Sequence, residues 1–215
     1  MNPVSSLAVP VALAMAVSAC SLGGLLGGGK TPATLLRLTP QAALQGSTVR
    51  SSSAGEAVTI AIPVIGKELR TTRVPAITYT EVAYIKDVQW VDTPDRLFQD
   101  LLSETVRRTT GRVVLDPKQS MLDPGITVSG QLHRFGYDAA EQAVVVRFDG
   151  ALSTAGGTRV ETRRFEARAP ADGTAATVGP ALNRAANEVA LEVAAVRGER
   201  PADARSPGTR LRGSL

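Results

Sequence analysis

The sequence predicts an α+β domain, a single mixed or antiparallel sheet with two main helices packed on one face. Three observations carry this expectation. Residues 57–65 and 125–169 alternate apolar and polar side chains with the period of a strand, whereas 93–110 and 177–197 place apolar residues three and four apart, as a helix does. Clusters of Gly, Pro and Ser separate these segments. A chain of 215 residues that is 43% hydrophobic and 20% charged can also bury one core without covalent staples.

The same composition removes most chemistry. One cysteine excludes an internal disulfide framework and a CxxC-type zinc site, and one histidine excludes clustered histidine ligands. No catalytic residue, cofactor or metal site is therefore expected, and no G-x-S-x-G nucleophile elbow occurs. The basic balance does not imply a nucleic-acid partner. Of a net charge of +4, +3 falls in the last 19 residues, where Arg197, Arg200, Arg205, Arg210 and Arg212 meet only Glu199 and Asp203. The folded region interleaves both signs instead of tracking phosphates with one.

The first element is an export signal. Residues 4–19 carry no charge, have an apolar centre from Leu7 to Val17, and are too short for a spanning helix. Val17-Ser18-Ala19-Cys20 at the end of this run resembles the bacterial lipobox, which implies cleavage between Ala19 and Cys20 and acylation of the Cys20 thiol. Residues 1–6 depart from the usual signal by lacking Lys and Arg. Residues 20–33 read as the lipidated cysteine and a glycine-rich tether, with a typical span of roughly 20 Å and a limit of about 45 Å. Within them, Gly24 to Thr31 matches G-x-x-x-x-G-K-[ST]. That loop needs a strand before it and a helix after it, and here Pro32 follows the threonine, so the tether reading stands.

Residues 34–198 form the folded domain. Thr34 to Thr39 is a short strand candidate, and Ala57 to Ile65 a longer one with Val58, Ile60, Ile62 and Val64 on one face and Pro63 near its end. Gly66 to Pro75 is a charged excursion, and Ala76 to Trp90 holds one or two extended pieces. Thr93-Pro94-Asp95 opens a helix with Thr93 as N-cap, Leu97, Phe98, Leu101, Leu102, Thr105 and Val106 as its apolar face, and Gly111 as its stop. Arg112 to Leu115 resumes extended structure. Gly125 to Tyr137 and Ala143 to Thr154 make a hairpin, with Val144, Val146, Phe148 and Leu152 on one face. Thr158 to Ala169 adds an arginine-rich third strand. Residues 177–197 close the domain as a helix with a narrow Ala/Val stripe, stopped by Gly198, and 199–215 read as a disordered basic tail.

Individual polar and aromatic residues favour structural roles. His133 lacks a second His or Cys to share a metal; Trp90, just before a helix, reads as core. Asp92 and Asp95 suit a helix N-terminus better than an acid/base pair. Tyr79 and Tyr84 are not assigned.

The lipobox ending at Cys20, the strand Ile60-Ala61-Ile62-Pro63, the stretch from Tyr84-Ile85 to Gln89-Trp90-Val91-Asp92 before Pro94 and Leu97, the hairpin, and the Ala-rich terminal helix together resemble the ABC-type transport auxiliary lipoproteins, the PqiC-like family associated with MCE lipid-transport systems. The loop Gly66 to Pro75 departs from that pattern. The resemblance implies a non-enzymatic lipoprotein on the periplasmic face of the outer membrane. Its partners would be an MCE-domain protein and the ABC permease and ATPase that move phospholipid, and a homo-oligomer is compatible with it. Few aromatics and a small-residue helix favour docking over lipid carriage. Two other classes share some of these features: a lipoprotein scaffold for outer-membrane protein assembly, and a periplasmic hydrolase.

Overall fold

Nine strands, two α-helices and two short 3-10 helices (Lys67–Leu69 and Pro117–Leu122) make up the computed structural model, which describes residues 34–44, 49–53, 55–122, 125–154, 157 and 159–196. The predicted leader, tether, Gly198 stop and carboxy-terminal tail lie outside these residues. The strands are β1 (Thr34–Leu36), β2 (Val58–Ile60), β3 (Val64–Ile65), β4 (Arg73–Thr78), β5 (Glu81–Trp90), β6 (Val114–Leu115), β7 (Ile126–Asp138), β8 (Ala143–Thr154) and β9 (Arg159–Pro170). Helix α1 (Pro94–Thr110) separates β5 from β6, and α2 (Ala175–Ala195) ends the fold.

β7 is the axis of a mixed sheet. One side pairs along its length with antiparallel β8, which pairs in turn with antiparallel β9. The other side is shared, in order, by β2, β3 and β4, all parallel to β7. β6 extends the sheet from β2, and β5 with β1 extends it from β4. The meander is there because its strands alternate: Val144, Val146, Phe148 and Leu152 all point into the core, as predicted.

The predicted single strand over 57–65 is corrected. β2 pairs Ile60 with Val128, but β3 pairs Val64 with Gln131, so one extra residue lies between them. An inserted residue reverses the side-chain phase. Ile65 is consequently buried, while Ile62 and Val64 are 46% and 61% exposed. A second bulge puts His133 and Arg134 together opposite Arg147, which lets Leu132 and Phe135 both face the core although they are three residues apart. The charged excursion also ends earlier than predicted, because Arg73 to Pro75 already belong to β4.

α1 occupies the predicted segment with Pro94 in its first turn and Gly111 at φ 66° as its stop, a left-handed position that glycine tolerates best. Thr93 stands at the N-cap, yet its hydroxyl makes no capping bond. Its carbonyl accepts from the N–H groups of Arg96 and Leu97 instead, each at 3.1 Å. α2 is not the narrow stripe expected. Val178, Leu182, Ala185, Val189 and Val193 are buried as predicted, but so are Ala181, Ala186, Ala190 and Ala194, because the helix lies against both the sheet and α1. Small side chains allow that double contact. Both helices cover one face, where Trp90, Phe135, Phe98, Phe148 and Phe165 form a row with successive ring centroids 5.3, 6.4, 5.4 and 6.4 Å apart.

Candidate functional site

The sheet face away from the helices is built by alternation. Arg147, Asp149, Arg164, Glu166 and Arg168 occupy the outward positions of β8 and β9, and Arg134 reaches the same face through the β7 bulge. Arg164 donates to both oxygens of Asp149 at 2.8 Å, and Arg134 lies 2.5 Å from Asp138. Glu166 receives Arg147 and Arg168 together, and Arg168 also meets Glu141 at 2.9 Å. Four arginines thus meet four carboxylates, and the surface neutralises itself.

The pairing marks the carboxyls. Hydrogen bonding by Arg147 holds Glu166 below its ordinary value, and Arg164 does the same to Asp149. Burial pushes Asp138 upward, but Arg134 and the backbone N–H groups of Glu141 and Ala140 outweigh it and leave it lowered. His133 sits in the lattice with Nε2 3.2 Å from Asp149, a surface contact of the structural kind expected. Among the described residues no group of three or more His, Cys, Asp or Glu side chains could hold a metal.

A groove of about 560 Å³ runs beside α1, with Arg37, Leu38, Val91, Leu97, Glu104 and Arg107 among its walls. It is open to solvent and mixes both charges with apolar side chains. Hiding an acyl chain is worth about 0.8 kcal/mol per methylene, which requires closed hydrocarbon walls rather than guanidinium and carboxylate groups.

The remaining sequence candidates separate. Trp90 is core, as expected, against Phe135, although its indole N–H finds no acceptor among the described residues. Asp92 accepts the Thr93 N–H at 2.7 Å, a local turn contact. Tyr84 donates to the Glu68 carbonyl at 3.2 Å, with Arg73 4.2 Å above its ring. Tyr79 stands alone at the β4–β5 turn, 86% exposed and at φ 53°. Ala19 and Cys20 lie outside the described residues.

Sequence reasoning missed Asn187, a buried amide on α2. Its Oδ1 accepts the Gln41 N–H at 2.8 Å and its Nδ2 donates to the Thr39 carbonyl at 3.0 Å, while Asn183 accepts the Thr39 N–H at 2.8 Å. Arg108 of α1 donates to the Ala42 carbonyl at 3.0 Å. The segment after β1 is thereby strapped across both helices. An Asn among alanines in an otherwise apolar stripe was the available signal.

No described helix is long and apolar enough to cross a membrane. No curated protein sequence matches the chain. A crystal structure of a protein from Xanthomonas campestris is similar at TM-score 0.59 and 16% identity, over 75% of this chain and 91% of that one. A second crystal structure, of an uncharacterized protein, is similar at TM-score 0.54 and 13% identity, over 69% and 94%. Both likenesses concern the fold. The family model for the ABC-type transport auxiliary lipoprotein component matches residues 38–194, from the start of the strap to the end of α2, and the chain belongs to that family.

Proposed function

We propose that this protein is an outer-membrane lipoprotein that docks an MCE-type lipid-transport assembly from the periplasmic side. The signal peptide, residues 1–19, is cleaved between Ala19 and Cys20; acylated Cys20 and a tether to residue 33 hold the domain of 34–198, and 199–215 trail from it. Family membership over 38–194 supports the auxiliary transport role, and the position of Cys20 at the end of an apolar leader supports the anchor. Several acyl chains at about 0.8 kcal/mol per methylene make such an anchor effectively permanent. The partners are the MCE protein, permease and ATPase of the same system, which supply the shielded path and the energy. The protein supplies a fixed docking point and no turnover.

The test combines mass spectrometry of the mature chain with co-purification. Acylated Cys20 and recovery of the MCE, permease and ATPase subunits are expected. Cys20→Ala should release the domain from membranes and disturb lipid balance. A soluble, unmodified mature chain, or crosslinks confined to a barrel-assembly complex, would reject the proposal.

A further inference from the structure

The sheet ends on one side in β9, which among the described strands pairs only with β8. Its other margins are short, with three residues in β1 and two in β6. β9 runs for 12 residues against β8 without a shift of register, and Pro170 is the last of them. Natural edge strands are usually shortened, bulged, interrupted by proline or guarded by lysine, because an unpaired row of N–H and C=O groups invites another strand. β9 uses none of these devices from Arg159 to Arg164, where every side chain is exposed.

The charges on this segment complement a second copy of themselves. By alternation Arg159, Glu161 and Arg163 share the face of the buried Phe165. Arg163 lies 5.4 Å from the centre of the Phe165 ring, and Glu161 meets Arg159 at 4.0 Å, so both stand apart from the ion pairs on the opposite face. A copy that joins antiparallel is related by a two-fold axis, and opposed residues share a face, so the axis passes through a residue. Centred on Thr162, Glu161 of each copy faces Arg163 of the other, and no like charges are opposed. Moving the centre one residue either way sets Glu161 on Glu161 with Arg159 on Arg163, or sets Arg163 on Arg163. Like charges directly opposite destabilise a sheet. Centres further along would call on Arg164 and Glu166, which already hold Asp149 and the arginines Arg147 and Arg168. The pattern therefore selects Thr162.

We infer that the free edge of β9 is a docking surface for a second copy of this chain, added antiparallel about Thr162 so that two sheets continue into one and Glu161 meets the partner's Arg163. The full-length protein is sedimented in dodecyl maltoside over a range of concentrations, and a dimer is expected. Glu161→Arg and Arg163→Glu should each raise its dissociation constant about tenfold or more, because each change meets its like on both sides of the axis. The double exchange, Glu161→Arg with Arg163→Glu, restores both contacts and should return the parental constant. Under mild oxidation Thr162→Cys should form an interchain disulfide above the background that Cys20 gives in the parent protein. Val160→Cys should not, since its two copies lie roughly 13 Å apart along the strands in this register. A monomer at every concentration overturns the inference. So does an assembly that neither reversal weakens, one that the double exchange fails to recover, or equal crosslinking at 160 and 162.

Discussion

Gly130 and Gly150 face each other across β7 and β8, and two rings explain why. A β-carbon on Gly130 would lie 2.2 Å from the Asp149 carbonyl and 2.7 Å from the Phe148 ring, and one on Gly150 would lie 2.9 Å from Phe148 and 3.1 Å from Phe165. The missing side chains leave room for the Phe148 ring, which meets Phe98 edge to face at 5.4 Å. Backbone cannot retreat as a flexible side chain could, so Gly130→Ala should destabilise by about 2 kcal/mol or more in urea titration. A change below about 0.5 kcal/mol would contradict this packing. None of it is visible in an alternating pattern, where a glycine that makes room for a ring reads like one that bends a strand. Tyr79 was equally silent: a hairpin turn of Tyr and Thr carries no Gly, Asn or Asp to announce itself.

At the scale of elements, legibility followed the locality of the cause. α1 was legible because proline, acid and left-handed glycine act within a turn of where they stand, and the β7–β8–β9 meander because its neighbours are consecutive in sequence. The parallel pairings of β1 with β5 and of β2 and β3 with β7 join distant segments, and an inserted residue near Pro63 was indistinguishable from continued alternation. The strap over the helices belongs to the same class, since Asn187 finds its partners more than a hundred residues away. Asn187→Leu keeps the helix and removes three side-chain bonds to backbone, two of them to the strap and one to the Asn183 carbonyl. A loss of about 2–3 kcal/mol is expected. Amide exchange should accelerate over residues 37–44 more than over α2; uniform acceleration would show that the amide serves the helix and not the strap.

For the molecule as a whole, the paired carboxylates set the response to acid. Glu104, Asp138, Asp149 and Glu166 all have folded values below the ordinary 4.5 or 3.8, so the unfolded chain takes up protons first as pH falls. Their contribution is complete above those ordinary values and disappears as pH drops through the lower folded ones. Asp172, lowered to about 2 by the hydroxyls of Thr177 and Thr174, remains ionised longest at the start of α2. The melting temperature should therefore hold from about pH 7 to 5 and fall below about pH 4.5, less steeply in Glu166→Gln. A decline beginning above about pH 6 would exclude the lattice as its origin. Another property of the whole follows from a strand of three residues. β1 is the first described element, at the edge of the sheet. Because it lies lengthwise against β5, a force applied along β1 would load its rungs together in shear. Leu36 sits where a side chain on Gly179 of α2 would strike it, so β1 is wedged against the closing helix as well. A bulkier residue at 179 would press on Leu36 and loosen β1 from its place beside β5.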